Sequence, residues 1–270
     1  MKIILRSIIA IYRKELQGYF SSSLAYVIAG VFWFLSSLFF FFILDNIVRE
    51  VAQLDLQGQF GVSPPPVDVP SVVLQNFMAV MGSLSLVILP ILSMGLYAEE
   101  RKRGTLELLA TSPITNWAVA LGKLLAVLTF FVTLIMPLAV IEGLALSRGQ
   151  PPIPLVTLLS LLMVSHLGLV FMAAAILALG LFISSLTDSS ILAAIVTFAL
   201  ILLLWIVDLL GDTLGGGLGE MLNHLSLLKH YTTLTQGVLD LSSFVLFLSY
   251  VVLGLFLTAQ SIDLFRFQRS

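Results

Sequence analysis

Long runs of apolar residues, separated by short polar connections, make up most of the chain. A helix needs about 20 mostly apolar residues to cross the hydrocarbon core of a bilayer. Six segments fit that description, one of them slightly short: residues 24–44, 72–98, 117–141, 155–183, 191–207 and 244–262. The pattern predicts an all-α integral membrane protein with six transmembrane helices in a single transmembrane domain, residues 1–270. Pro90 and Pro137 are expected to kink the second and third spans.

The first 20 residues follow a different pattern, in which apolar residues recur at helical spacing among basic ones. The apolar face consists of Ile4, Leu5, Ile8, Ile11 and Tyr12, and the polar face of Arg6, Arg13, Lys14 and Gln17. Such a helix lies in the membrane interface with its basic side near anionic head groups. We therefore expect residues 1–20 to form an interfacial amphipathic helix. The alternative is a frayed cytoplasmic leader.

The composition excludes a water-soluble domain. Hydrophobic residues make up 59% of the 270 residues and charged residues only 10%, with a mean hydropathy of +1.09. A soluble domain carries about 25% charged residues, because polar side chains must cover its surface. The chain also has no Cys, which excludes disulfide bonds and thiol catalysis.

Basic residues are divided unevenly between the two sides that six spans create. Ten of the 13 Lys and Arg residues precede the first span, follow the sixth, or lie between the second span and the start of the third. Nine of the 15 acidic residues lie in the opposite connections. Lys and Arg favour the cytoplasmic side. Both termini are therefore predicted to be cytoplasmic.

The sequence carries no nucleotide-binding loop. Gly122-Lys123 is followed by Leu124, and Trp117 occupies the position of the upstream glycine that such a loop requires. No Ser/His/Asp set or pair of carboxylates gathers at one depth within the predicted spans, as a membrane-embedded hydrolase would need. We therefore expect no catalytic residue and no enzyme activity in this chain.

Three histidines are present, and none has metal-ligand spacing with the others, so no metal site is expected. His166 stands alone in the fourth span. An intramembrane His is a functional candidate by default, although a hydrogen bond to a neighbouring helix explains it equally well. The spans hold few other ionisable residues, which disfavours a secondary transporter or channel.

A charged cluster follows the second span, where residues 99–103 read Glu-Glu-Arg-Lys-Arg. Such a basic cluster is favoured at head-group level. Gly104 permits a sharp turn, and Thr105 is a good N-cap for a helix of little more than one turn over residues 106–110. Ser112-Pro113 then suits the start of a new helix. The pattern predicts a short amphipathic helix held between two spans. The alternative is a positive-inside anchor followed by an ordinary loop.

Three stretches carry a family resemblance: "EERKRGTLELLATSPITNWAVALGK", "SSLTDSS" and "LSLLKHYTTLTQGVLDLSSFVLFLSYVVLGLFLT". The chain resembles permease subunits of type-2 ABC exporters over essentially its whole length, and most resembles the gliding-motility and nitrous-oxide-reductase-maturation type. Ser242-Ser243 departs from the family pattern, in which charge is frequent at this place. That departure leaves the external contacts of this loop open.

The resemblance implies a coupling helix at about residues 105–111 that docks on a separate ATPase. Residues assigned to this coupling are Glu99, Glu100, Arg101, Gly104, Thr105, Glu107, Leu108 and Thr111. It also implies short re-entrant outer helices around residues 222–240 before the sixth span, with His224, Lys229 and His230 as outer-gate candidates. Such permeases work as identical or related pairs in the inner (plasma) membrane of bacteria. ATP-Mg is bound by the ATPase partner, and this chain itself holds no cofactor.

An ATP-driven exporter subunit is therefore the favoured function, with the lipid bilayer, a second permease and an ATPase as partners and no role for nucleic acid. The alternative is a polytopic membrane assembly or anchoring protein that transports nothing and recruits partners through the same loop. The sequence does not specify the cargo, nor whether the pair is a homodimer or a heterodimer.

Overall fold

The computed structural model describes residues 2–59, 68–106, 114–149 and 154–267. Ten helices form in this part of the chain: α1 Lys2–Ser21, α2 Ser23–Gln59, α3 Val69–Ser93, α4 Gly95–Lys102, α5 Asn116–Leu146, α6 Leu155–Leu186, α7 Ser190–Leu214, α8 Gly216–Leu225, α9 Leu227–Thr235 and α10 Leu241–Phe267. Six segments are long and apolar enough to cross a membrane: α2, α3 together with α4, α5, α6, α7 and α10. The predicted all-α fold with six spans is confirmed.

Several helices continue past the ends of their apolar runs. The first apolar run ends at residue 44, but α2 extends to Gln59. Arg49 donates to the Asp45 carboxylate one turn earlier at 2.9 Å, and Ile47 is buried against the bundle. Nothing in this stretch breaks a helix before the proline-rich sequence that follows. A drop in hydropathy therefore marks the end of the apolar run and not the end of the helix.

The fourth span, α6, lies at the centre of the bundle. In its most apolar window 78% of the residues are buried, against 17% for α7. Small residues allow this close packing, as they do in other membrane bundles. A Cβ placed on Gly254 of α10 would lie 2.5 Å from the backbone carbon of Ala178 in α6. The two backbones therefore touch directly, and α6 acts as the core against which the other spans pack.

The second span is interrupted at Met94, four residues beyond Pro90, which divides it into α3 and α4. Ser184 of α6 fills the interruption. Its hydroxyl accepts the backbone N–H groups of Tyr97 at 3.0 Å and Ala98 at 3.1 Å, and it donates to the Met94 carbonyl at 2.8 Å. A side chain inserted into the hydrogen-bond ladder is an established cause of helix breaks.

The amphipathic pattern at the N-terminus produces α1, which packs along α5 and is not a frayed leader. The Tyr19 hydroxyl donates to the Leu92 carbonyl at 2.7 Å, and its ring stacks on Phe130 with the centroids 5.1 Å apart. Leu5 and Ile9 of α1 remain exposed. An interfacial position of this helix stays a prediction.

Two short helices, α8 and α9, precede the last span. The prediction placed short helices around residues 222–240, and α8 begins somewhat earlier, at Gly216. Helix α9 is docked into the bundle: the Tyr231 hydroxyl donates to the Met78 carbonyl at 2.6 Å, and Leu234 lies against Gly168. That these helices re-enter the membrane stays a prediction.

Candidate functional site

A buried lysine lies where three helices meet. Lys123, near the start of α5, has only 2% of its side chain exposed. Its ammonium group is 3.0 Å from a Glu100 oxygen of α4 and 3.1 Å from a Glu15 oxygen of α1. It also donates to the Leu96 carbonyl at 2.7 Å and lies 5.0 Å from the ring centroid of Tyr97. We call Lys123, Glu15 and Glu100 the Lys123 junction.

The junction pairs the ammonium group that it buries, although the second Glu100 oxygen has no hydrogen-bond partner among the described residues. An ammonium group has three N–H donors, and three acceptors surround Lys123. An ion taken out of water is tolerated only with such pairing, and removing one partner strands the other charge. Lys14 lies outside the junction, 3.3 Å from Glu15 and 3.5 Å from Glu100, so that two cations balance two carboxylates. Partial burial lowers the pKa of Lys14, but the two neighbouring carboxylates outweigh it, and the net shift is upward.

A glycine allows α1 to approach closely enough for this contact. A Cβ placed on Gly122 would lie 3.0 Å from the Ile11 Cβ and 3.1 Å from the Ile8 carbonyl oxygen. Glu15 follows Ile11 by one helical turn on the same face of α1. Its carboxylate therefore arrives beside Lys123, the residue after the glycine. The Gly-Lys pair serves helix packing and ion pairing here.

Helix α4 ends in a tight turn at Gly104, which has a φ of +70°. The Gly104 amide donates to the Arg101 carbonyl at 3.1 Å, and the Thr105 amide to the Glu100 carbonyl at 2.9 Å. This pair of bonds is the Schellman arrangement, in which glycine adopts the left-handed conformation after a helix. Arg101 also donates to the Ser185 carbonyl at 3.1 Å, which fixes α4 to the end of α6.

The structure describes five of the eight residues assigned to ATPase coupling. They lie together on α4 and its turn: Glu99, Glu100, Arg101, Gly104 and Thr105. The other three, Glu107, Leu108 and Thr111, lie outside the described residues, as do Ser112 and Pro113. Most of the predicted coupling helix therefore stays a prediction.

The described coupling residues differ in their surroundings. Glu100 is the one that enters the junction, whereas Glu99 forms an exposed pair with Arg103 at 3.4 Å. The Thr105 hydroxyl donates to the Glu100 carbonyl at 3.2 Å, so it caps the helix behind it. Sequence reasoning missed Glu15 and Lys123. A lysine within an apolar span was the available signal, because such a residue needs a partner.

A cleft of about 460 Å³ lies beside the junction, between α1 and α4. Charged side chains of both signs line it: Lys14, Glu15, Glu99, Glu100, Arg103 and Lys123. Thr105 also lines the cleft, so the chain enters the predicted coupling segment at its edge. The cleft could receive side chains of either charge from a partner protein.

The three outer-gate candidates lie together near the other end of the bundle. His224, Lys229 and His230 line a cavity of about 340 Å³, together with Glu220 and Asp240. His230 is buried, and its Nδ1 lies 2.8 Å from the Ser243 hydroxyl. Burial lowers the pKa of His230 below its ordinary value. A role for this cavity as a gate stays a prediction.

Ser242 and Ser243 serve the start of α10. The Asp240 carboxylate accepts the Ser242 amide at 3.1 Å and also its hydroxyl, as an N-cap side chain does. These hydrogen bonds lower the pKa of Asp240. The two serines thus take up an internal capping role. In the described residues no group of three or more His, Asp or Glu side chains could hold a metal ion.

The prediction that His166 stands alone was wrong. Its Nε2 lies 3.6 Å from a Glu142 oxygen. Glu142 is one of the nine acidic residues that the sequence pattern places in the outer connections, but α5 extends to Leu146 and carries it inside the bundle, where it is fully buried. The apolar run ends one residue before Glu142, so hydropathy alone placed this carboxylate on the wrong side of the helix end.

Six membrane-length segments, of which α6 is the central one, define a polytopic integral membrane protein among the described residues. The chain belongs to the family described as ABC-2 family transporter protein, whose sequence model matches residues 10–270. It is thus a permease subunit of an ABC transporter, a membrane transport component that is not itself an ATPase and that works with an ATP-binding cassette subunit. Among curated proteins no relative matches the chain.

The family match confirms the resemblance to type-2 ABC permeases that the three sequence stretches indicated. It favours the permease over the anchoring alternative. The gliding-motility and nitrous-oxide-reductase-maturation subtype stays a prediction.

Proposed function

We propose that this chain forms the membrane path of an ATP-driven exporter, as one of two paired permeases served by two ATPase subunits that bind ATP-Mg. We further propose the gliding-motility and nitrous-oxide-reductase-maturation subtype and a bacterial inner membrane, with both termini in the cytoplasm. The observation that carries the proposal is the Lys123 junction, because it joins the predicted coupling segment to two other helices.

Force applied to residues 105–111 would enter the bundle through α4. The Glu100–Lys123 contact passes it to α5, and Glu15 passes it to α1. The Arg101–Ser185 hydrogen bond and the Ser184 contacts pass it to α6, the central span. Because the ammonium group is buried and paired with two carboxylates, the three groups resist separation, and the helices would move together.

The charge pattern supports the orientation. The junction lies at the end of the bundle that carries most of the basic residues, which favours the cytoplasmic side. The cleft beside it, which charged side chains line, would receive the ATPase, and the cavity around His230 would face outward and close the path. Exposed apolar faces on α2, α7 and α10 offer contact surface to lipid and to the second permease.

Site-directed crosslinking tests the coupling directly, because the chain has no native Cys. Thr105→Cys places a thiol on the turn at the edge of the cleft, and Thr232→Cys places one on the exposed side of α9 as the control. Thr105→Cys should crosslink to an ATP-binding cassette subunit in membranes of cells that express both proteins, and Thr232→Cys should not.

Equal crosslinking of the ATPase to both positions, or none to Thr105→Cys at normal abundance, would contradict the proposed docking site. Impermeant thiol reagents applied to intact cells test the orientation with the same two variants. Thr232→Cys should react from outside, and Thr105→Cys only after permeabilisation. The reverse pattern would invert the topology.

A further inference from the structure

Glu142 and His166 form a buried pair that the transport proposal leaves without a role. Glu142 lies in the last turns of α5 and is fully buried, and the His166 side chain in α6 is 13% exposed. The two side chains approach to 3.6 Å, which is longer than a hydrogen bond. Among the described residues, the two Glu142 carboxyl oxygens and the His166 Nε2 have no hydrogen-bond partner. Buried polar atoms without a partner are rare and require an explanation.

The backbone fixes the tautomer of His166. Its Nδ1 lies 2.9 Å from the Leu162 carbonyl oxygen. A carbonyl only accepts hydrogen bonds, so Nδ1 must carry a hydrogen. In the neutral imidazole the remaining nitrogen, Nε2, is then an acceptor, and it faces the carboxyl group of Glu142. If Glu142 were ionised and His166 neutral, acceptors would face each other with no hydrogen between them.

One proton resolves this conflict in either of two ways. A protonated Glu142 can donate to Nε2, or a protonated His166 can donate to the carboxylate. Both arrangements contain one hydrogen between the two groups and leave the pair electrically neutral. Coupled groups of this kind share the proton as a pair. An unshared carboxylate at this depth would be a buried, unpaired charge, which proteins avoid.

The pair lies beneath α9. Among the described residues, His166 of α6 is the titratable group in contact with Glu142. Burial raises the pKa of Tyr231 in α9, and the charge of Glu142 raises it further. The Tyr231 hydroxyl is already donated to the Met78 carbonyl. Next to His166, the Ser165 hydroxyl lies 3.4 Å from the Thr235 carbonyl at the end of α9.

We propose that Glu142 and His166 form a binding site for one proton, and that the bound proton keeps α9 docked on the bundle. When the proton leaves, the carboxylate and the Nε2 lone pair must gain donors, and water can reach them when α9 lifts. The proton would then be a ligand of this permease, whose release at alkaline pH loosens the outer helices. This inference concerns the purified chain and does not depend on the exporter proposal.

The first experiment locates the proton. The chain contains three histidines, so isotope-labelled histidine gives three signals that single substitutions assign. At neutral pH we expect either an imidazolium signal from His166 or an infrared carbonyl band of a protonated carboxyl group. Whichever is present should disappear in Glu142→Gln and persist in the control Glu220→Gln, which alters an exposed acid on α8. A neutral His166 together with no such band at neutral pH would overturn the proposal.

The second experiment tests the docking of α9 in detergent, where both faces of the protein are accessible. Leu234→Cys reports on the buried side of α9 and Thr232→Cys on its exposed side. The ratio of their labelling rates removes the pH dependence of thiol reactivity. Leu227→Cys is a second buried reporter if Leu234→Cys folds poorly.

The labelling rate of Leu234→Cys, divided by that of Thr232→Cys, should rise severalfold from neutral to alkaline pH in the otherwise native chain. In Glu142→Gln it should stay low at both pH values, because the amide donates permanently to Nε2. The Glu220→Gln control should behave as the native chain does. A constant ratio in the native chain, or an equal rise in Glu142→Gln, would show that the proton does not control α9.

Discussion

The Lys123 junction and the Glu142–His166 pair each have one member on α5, and both bury ionisable side chains. The two sites differ in how these side chains are paired. Their α5 members are 19 residues apart in sequence, which corresponds to about 28 Å along a helix. Lys123 has three acceptors within 3.1 Å, whereas Glu142 has no hydrogen-bond partner in the described residues. A buried ion pair resists change, because any movement breaks a charge-assisted contact. A buried group without a partner can gain or lose a proton without breaking such a contact.

Removing the ammonium group of Lys123 should have the largest effect on the stability of the chain. Lys123→Met should destabilise the chain by about 3–5 kcal/mol, because Glu15 and Glu100 then lose their buried cation and keep only the exposed Lys14 beside them. Thermal unfolding in detergent and abundance in the membrane measure this effect. Lys102→Met is the matched control, since that side chain is exposed at the end of α4. Equal behaviour of the two variants would remove the junction from the stability of the bundle.

Separating α1 from α5 without removing any charged side chain should have the next largest effect on stability. Gly122→Val forces α1 away from α5, and overpacking of this kind costs about 1–3 kcal/mol. Gly30→Val is the control, because no atom lies within 4 Å of a Cβ at that position. The same thermal melts apply. If Gly122→Val melts like Gly30→Val, then contact with α1 does not hold the junction together.

Glu142→Gln should destabilise the chain far less than Lys123→Met does. The amide donates to Nε2 in place of the shared proton, so the free energy of unfolding at neutral pH should change by about 1 kcal/mol or less. Denaturant or thermal unfolding of both variants, measured side by side, tests the contrast. A loss as large as that of Lys123→Met would mean that the pair is a fixed ion pair like the junction.

The cavity around His230 should add a small pH dependence. Burial lowers the pKa of His230 in the folded chain, so the unfolded chain takes up the proton first. Stability should therefore decline as pH falls below about 6.5, the ordinary pKa of His. His230→Gln should flatten this decline, whereas the exposed His224→Gln should not. Unfolding curves between neutral and mildly acidic pH provide the measurement.

The spans could be predicted from the sequence because apolar length is a local property. Their ends could not, since Asp45 and Glu142 continue helices that hydropathy treats as finished. The break at Met94 also escaped prediction. Pro90 indicates that a backbone hydrogen bond of the helix is missing, but the hydroxyl that completes the break comes from Ser184, which lies 90 residues after Met94.

The candidate site was predictable only in part. The local sequence indicated the turn at Gly104 and the charges before it. Lys123 and Glu15 are separated by 108 residues, and His166 meets Glu142 across two helices. Such partners follow from the packing of helices, which no local pattern specifies. The histidine that appeared alone is the plainest example.

The break at Met94 makes α4 a short lever. Its eight residues span about 12 Å, so a rotation of about 10° at the break would carry the far end through about 2 Å. That displacement is comparable to the margin that separates a close ion pair from a broken one. The Glu100–Lys123 contact would thus act as a stop that limits how far the lever can turn before α5 has to follow.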